Sequence, residues 1–217
     1  MATFLLWLGG GAAAYLLGAI PFGFLIAKAR GKDIRSLGSG NIGATNVFRS
    51  VSKPLGLLTF LLDFLKGYVG ARWIPALAAQ CFGGDGAGMG LAVFCGVLTV
   101  AGHNWTCFLR FKGGKGVATS AGLLMGLTPE GVGIAFAAWL ALFLVTRYVS
   151  VASIGAAAVL GAAVWWPLRL GAAHGVWFPA ALTALALLAV WKHRSNILRL
   201  CAGTESRFSF GKKGVRP

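Results

Sequence analysis

Seven apolar runs, Phe4–Ala27, Pro54–Phe82, Met89–Ala101, Val117–Leu127, Gly131–Thr146, Val151–Pro167 and Val176–Trp191, occupy most of the 217 residues. The hydrocarbon core of a bilayer is about 30 Å thick and takes about 20 apolar residues to cross as a helix. Backbone polar groups within it must be satisfied internally. The runs therefore predict an all-α, polytopic integral membrane bundle of about seven transmembrane helices. The connections leave no room for a separate soluble domain, so residues 1–217 read as one membrane-embedded domain. Val117–Leu127 is short for a crossing and reads as a half-helix surrounded by protein. An alternative with five crossings keeps the same loops on one side if 117–146 enters and leaves together. Charged residues make up only 12% of the chain, against about 25% in soluble domains. That excludes disorder, a coiled coil and an ordinary soluble globule.

The charges are lopsided, with 20 Lys and Arg against 5 Asp and Glu. Segment 28–53 holds six Lys or Arg, 103–116 three, 147–150 one and 192–217 seven, which makes 17 of the 20. Basic loops mark the cytoplasmic side. The expected topology has the N-terminus outside and the C-terminus in the cytoplasm, in a bacterial inner (plasma) membrane. No basic residue precedes the first run, so it lacks a signal peptide's basic start. The positive charge is assigned to anionic lipids or an anionic substrate rather than to nucleic acid. The tail at 203–217, with Lys212, Lys213 and Arg216, reads as a mobile basic end resting on lipid. Cys81, Cys95, Cys107 and Cys201 lack metal-site spacing and read as buried small hydrophobes.

Three basic segments carry the candidate chemistry. The first, Gly38-Ser39-Gly40-Asn41-Ile42-Gly43-Ala44-Thr45-Asn46-Val47-Phe48-Arg49, offers a glycine-built nest for an anion. Ser39 and Thr45 add hydroxyls, Asn41 and Asn46 add amides, and Arg49 adds a fork suited to phosphate. The second, Phe111-Lys112-Gly113-Gly114-Lys115-Gly116-Val117-Ala118-Thr119, runs into an apolar helix whose N–H groups suit phosphate. Gly116 follows Lys115 where a nucleotide-binding P-loop needs Ser or Thr, which rules out an NTPase. In the third, His193 and Asn196 are three residues apart and share a helical face, with Arg194 and Arg199 directed toward headgroups. Ser150 can cap the next helix or donate to phosphate. Asp63 and Lys66 form an i, i+3 pair inside a span, expected to order the bundle. His103, at the end of the third span near the second loop, reads as a structural residue or one behind the site, and Thr128-Pro129-Glu130 as a helix start.

Together, Ser39-Gly40-Asn41-Ile42-Gly43-Ala44-Thr45-Asn46 with Arg49, Phe111-x-Gly113-Gly114-Lys115-Gly116-Val117-Ala118-Thr119, and His193-Arg194-x-Asn196-Ile197 with Glu205 closely resemble the bacterial membrane acyl-phosphate:glycerol-3-phosphate acyltransferases. Asp63-x-x-Lys66-Gly67, Ala101-Gly102-His103-Asn104 and Arg147-Tyr148-Val149-Ser150 match as well. The resemblance implies a seven-span fold with a cytoplasmic active site. The implied reaction moves an acyl group from acyl phosphate to the sn-1 hydroxyl of glycerol-3-phosphate. It yields lysophosphatidic acid and phosphate, the first acylation of phospholipid synthesis, with no metal, cofactor, acyl-CoA or obligate protein partner. Ser39, Arg49, Lys115, Ser150, His193 and Asn196 fall at substrate-contacting positions, Gly113, Gly114 and Gly116 in a phosphate loop, and Glu205 at a position tied to structural integrity. The residues themselves suggest no His-x-x-x-x-Asp dyad, since Phe108, Pro179 and Leu198 follow the three histidines at that spacing. The expectation is therefore that the donor's phosphate takes the hydroxyl proton, with a flat profile across histidine titration. A transporter is disfavoured because no inverted repeat is present.

Overall fold

The computed structural model describes residues 1–83, 88–165 and 175–208. Arg169, His174 and residues 209–217, including most of the predicted basic tail, lie outside the described residues. The helices are α1 (Ala2–Ala19), α2 (Phe22–Lys28), α3 (Ala44–Ser50), α4 (Lys53–Arg72), α5 (Ile74–Phe82), α6 (Met89–Asn104), α7 (Val117–Leu127), α8 (Pro129–Thr146), α9 (Val149–Ala163), α10 (Trp177–Lys192) and α11 (Arg194–Cys201). No strand occurs among the described residues.

Each predicted apolar run is largely helical over its described residues, and two of them break. The first breaks at Ile20–Pro21, because proline brings no N–H and a helix interior cannot accommodate its ring. Two carbonyls exposed by the break find partners: Thr106 Oγ1 donates to Ala19 O at 2.5 Å and Lys66 Nζ to Ile20 O at 2.9 Å. The second breaks at Trp73, two residues before Pro75. Ala2–Lys28, Lys53–Phe82, Met89–Leu109 and Pro129–Thr146 are long and apolar enough to cross a membrane. Val117–Leu127, Val149–Ala163 and Trp177–Lys192 are shorter. At 1.5 Å per residue, α7 rises only about 17 Å. Its Thr119, Gly122, Leu123 and Leu124 are buried, as a half-helix enclosed by protein requires.

Two helix pairs approach closely through small residues, the usual device where lipid offers no hydrophobic drive for association. At the α4–α7 crossing, a Cβ on Gly67 would fall 2.0 Å from Thr119 O, and one on Gly122 would fall 1.8 Å from Phe64 O. At the α1–α6 crossing, a Cβ on Gly18 would fall 2.0 Å from Thr99 O. The packed centre holds Ala71, Val93, Val100, Leu123, Leu160 and Phe178. Helix α8 turns Phe136, Leu140, Leu144 and Val145 outward, an unsupportable patch in water and an ordinary lipid face in a bilayer. Its start follows the sequence reading: Thr128 Oγ1 accepts from Gly131 N–H at 3.4 Å, with Pro129 in the first turn. Of the four free cysteines only Cys95 is buried. Cys81, Cys107 and Cys201 are exposed, contrary to the expectation of burial, because they sit at helix ends or on outer faces.

Candidate active site

Helix α3, the 110–116 loop, the start of α9 and the α10–α11 junction meet at one end of the bundle and enclose a cavity of about 420 Å³. From the first loop come Ser39, Asn41, Thr45, Asn46 and Arg49. The second contributes Lys115 and Gly116, α9 contributes Ser150, and the C-terminal part contributes His193 and Asn196. Gly113 and Gly114 lie behind Lys115 and are not part of the wall. Segments far apart in sequence therefore converge as the motifs required.

The first loop is tied by its own amides. Asn46 is 5% exposed; its Nδ2 donates to Leu37 O at 2.9 Å and Asn41 O at 2.8 Å. Its Oδ1 accepts from Ser39 N–H at 3.2 Å and Ser50 Oγ at 3.2 Å. Asn41 Oδ1 accepts from Gly43 N–H at 2.8 Å. Both asparagines, expected to bind substrate, are thus engaged in holding the loop, since a buried amide without partners would be costly.

Glu205 is the hub on the other side. Its Oε1 accepts from Ser150 Oγ at 2.8 Å and Asn196 Nδ2 at 2.7 Å, and its Oε2 accepts from Arg199 Nε at 2.8 Å. Burial works to raise the Glu205 carboxyl, but those hydrogen bonds outweigh it and hold the group below the usual carboxylate range. Asn196 Oδ1 accepts from Lys115 Nζ. Arg49 donates through Nη2 to Ser206 O at 3.1 Å. Burial, then the positive charges of Arg199 and Arg49, push the Lys115 ammonium down to about 8, against the pull of Glu205. Burial also lowers Arg49. Cations kept partly unneutralised in this way favour an incoming anion.

His193 stands at the break between α10 and α11, with Nδ1 2.8 Å from Ala189 O. That contact fixes Nδ1 as the protonated nitrogen and leaves the Nε2 lone pair free. Burial, followed by the Lys115 charge, pushes its pKa down to about 4. Lys192 Nζ donates to Asn104 O at 3.0 Å, tying the end of α10 to the end of α6 and so setting the height of His193.

Three expectations need correction. Ser150 is not a cap, because the residue before α9 is Tyr148 and Ser150 lies within the first turn. Arg199 faces Glu205 and the cavity rather than headgroups. The tail is held as far as Phe208, whose ring packs at 5.8 Å from Phe48 and 5.4 Å from Phe143 while its N–H donates to Arg147 O at 2.8 Å. Sequence reasoning also overlooked that Asp63 and His103 line the cavity floor, with Asp63 Oδ1 3.4 Å from His103 Nδ1. A His–Asp pair thus exists, formed across two helices and invisible to a spacing search along one.

A second cavity of about 270 Å³ is almost wholly apolar, lined by Phe64, Leu124, Val132, Phe136, Leu160 and Leu185 among others. It shares Phe60, Val117, Trp139 and Ser153 with the polar cavity, so the two adjoin along these side chains.

The sequence profile of a family described as glycerol-3-phosphate acyltransferase matches residues 9–203. The chain is 45% identical over 196 residues to a glycerol-3-phosphate acyltransferase of Aquifex aeolicus, covering 90% of this chain and 95% of that protein. It is 44% identical over 201 residues to one of Geobacter sulfurreducens, covering 91% and 95%. Among solved structures it resembles PlsY, an integral membrane glycerol 3-phosphate acyltransferase, in its glycerol 3-phosphate form, with a TM-score of 0.79 and 42% identity over 94% of this chain and 96% of that one. The lysophosphatidic acid form of PlsY gives a TM-score of 0.77. A profile match across most of the length, relatives covered almost end to end and a shared helical fold agree that the chain belongs to the glycerol-3-phosphate acyltransferase family.

Proposed function

We propose that this protein transfers a fatty acyl group from acyl phosphate to the sn-1 hydroxyl of glycerol-3-phosphate at the cytoplasmic face of a bacterial inner membrane. The carrying observation is the junction of two cavities at Phe60, Val117, Trp139 and Ser153. A cation-lined chamber meets an apolar groove, which suits a donor with a phosphate head and a hydrocarbon tail beside a phosphorylated, water-borne acceptor. The relatives' names give the acceptor; the donor is taken from the resemblance of the Ser39–Arg49, Gly113–Gly116 and His193–Asn196 motifs to the acyl-phosphate-dependent acyltransferases.

In this reading Arg49 and Lys115 clamp phosphate, the 113–116 loop brings Lys115 and Gly116 to the wall beside the N–H groups that open α7, and Ser39, Thr45 and Ser150 position substrate oxygens. The acceptor hydroxyl attacks the acyl carbonyl, its proton passes to a phosphate oxygen of the donor, the new ester C–O bond forms, and the acyl–phosphate bond breaks to release phosphate. His193, at about 4, is a weaker base than a phosphate whose second pKa is about 6. That gap of about two units corresponds to about 2.7 kcal/mol of proton affinity. His193 instead offers its free Nε2 to orient the attacking hydroxyl, and Asn196, with one N–H still free, can donate to the oxyanion. Positioning and charge supply the rest.

A donor-swap assay with purified protein tests this. Phosphate release and lysophosphatidic acid formation with acyl phosphate, and none with acyl-CoA, is the expected result; turnover with acyl-CoA alone would overturn the donor assignment.

A further inference from the structure

The glycine loop rests on two consecutive residues at the end of α6. Gly114 N–H donates to His103 O at 3.0 Å. A Cβ added at Gly113 would fall 2.0 Å from that same carbonyl oxygen. At Gly114 its nearest neighbours would all belong to the His103 ring, the closest being Nε2 at 2.1 Å. At Gly116 it would fall 2.7 Å from Asn104 Oδ1. Asp63 stands beside the His103 ring, its Oδ1 3.4 Å from Nδ1 and 2.8 Å from Lys66 Nζ. Asp63 and Lys66 are 2% exposed and His103 5%. Lys66 alone can balance Asp63, so the ion pair gives no reason for an imidazole on the cavity side. The loop above supplies one. Glycine-rich backbone has wide freedom, whereas a binding site needs its groups held to about 0.5 Å.

We propose that Asp63 and His103 are positioning residues for substrate phosphate. Asp63 fixes the orientation of the His103 ring. The ring and carbonyl of His103 then set the height of the Gly113–Gly116 backbone and the aim of Lys115. The inference rests on the reading of this loop as a phosphate seat, and it adds the elements that hold the seat in place.

The test is steady-state kinetics on variants with wild-type thermal unfolding in detergent. His103→Ala should raise KM for a phosphate-bearing substrate about tenfold or more, a loss of about 1.4 kcal/mol, with kcat within about threefold. His103→Asn, whose amide nitrogen can take the place of Nδ1 beside Asp63, should recover most of that KM. Gly114→Ala should raise KM in the natural background and add little in His103→Ala, because the three atoms nearest its new methyl all belong to the ring that is gone. If His103→Ala does not fold, the asparagine variant and Gly114→Ala, alone and combined, carry the comparison. An unchanged KM, a collapse of kcat at constant KM, or an equal cost of Gly114→Ala in both backgrounds overturns the proposal. Lys115→Ala separates the two layers. If it leaves KM unchanged, the loop is no phosphate seat and the underlying reading fails. If it raises KM while His103→Ala does not, only the positioning role fails.

Discussion

Lys115 and His193 are both buried, and burial has opposite consequences for their work. Lys115, lowered to about 8 from 10.5, is still charged at neutral pH but loses its proton well before an exposed lysine. A bound phosphate dianion favours the ammonium and raises its pKa again. In the free enzyme the ammonium is lost as pH climbs through about 8, so kcat/KM, which reports free-enzyme groups, should fall above that pH. Lys115→Ala should lower kcat/KM about 10²–10³-fold, the usual cost of one lost electrostatic partner, and should abolish this alkaline limb. Retention of the limb would assign it to another group. His193, lowered to about 4, is neutral throughout the working range. His193→Ala should therefore keep measurable activity, with a loss well short of the roughly 10⁴-fold or more of a triad knockout. The acid limb of its profile should coincide with that of the natural protein, because any titration near 6 belongs to substrate phosphate. A shifted acid limb would make His193 the proton acceptor after all.

Helices bring these side chains together because small residues let the helices touch. The α4–α7 contact is the tightest point, since Gly122 abuts Phe64 O and Gly67 abuts Thr119 O. Backbone atoms cannot rotate aside as a side chain can. Gly122→Ala must force α4 and α7 apart, at a cost of about 1–3 kcal/mol or more for overpacking. The α4–α7 contact also underlies the floor of the active cavity, so activity should fall together with thermal stability in detergent. Gly133→Ala in α8, with nothing within 4 Å of the added methyl, is the control; it should leave the protein as stable as before or slightly more so. A Gly122→Ala protein with unchanged melting would mean that the helices are not packed this closely. At this scale much was legible beforehand. The length of the apolar runs placed the helices, though not the breaks at Pro21 and Trp73, and basic, glycine-rich connections marked Ser39, Arg49, Lys115, His193 and Asn196, because glycines, amides and hydroxyls beside those cations suit an anion better than a plain charged flank does. Two kinds of information were not written locally. Asn46 looks identical in sequence whether its amide faces substrate or the loop carbonyls, and only the fold of 34–50 decides. Asp63 and His103 meet because α4 and α6 pack side by side, a juxtaposition that no spacing along one segment reveals.

Taken whole, the molecule is polarised from end to end. The active cavity opens where the basic segments gather, and the same end carries an aromatic and cationic collar. Trp105 and Trp191 lie 6.3 Å apart, with Lys192 at 4.9 Å over the first ring and Arg194 at 4.3 Å over the second. Tryptophan rings favour the headgroup level, and long cationic side chains lie along apolar surface with their charged ends toward water. Such a collar suits a headgroup interface, and the function proposed above sets the cavity mouth at that level with the apolar groove toward the bilayer. In that proposal a lipid-tailed donor remains in the membrane while a soluble acceptor enters from the aqueous side. Fourteen basic residues of the described segments 28–53, 103–116, 147–150 and 192–208 fall at this end or beside it, and by the positive-inside rule the function proposed above has that side facing the cytoplasm. In a protein stripped of its native cysteines, Lys32→Cys and Lys112→Cys should both react with a membrane-impermeant thiol reagent in inside-out vesicles only. Gly88→Cys, at the opposite end of α6 from His103, should react in right-side-out vesicles only. Labelling of position 32 from the outside, or of 88 from the cytoplasm, would invert the molecule. The charged acceptor would then have to be supplied from outside the cell, and a cytoplasmic role in phospholipid synthesis could not stand.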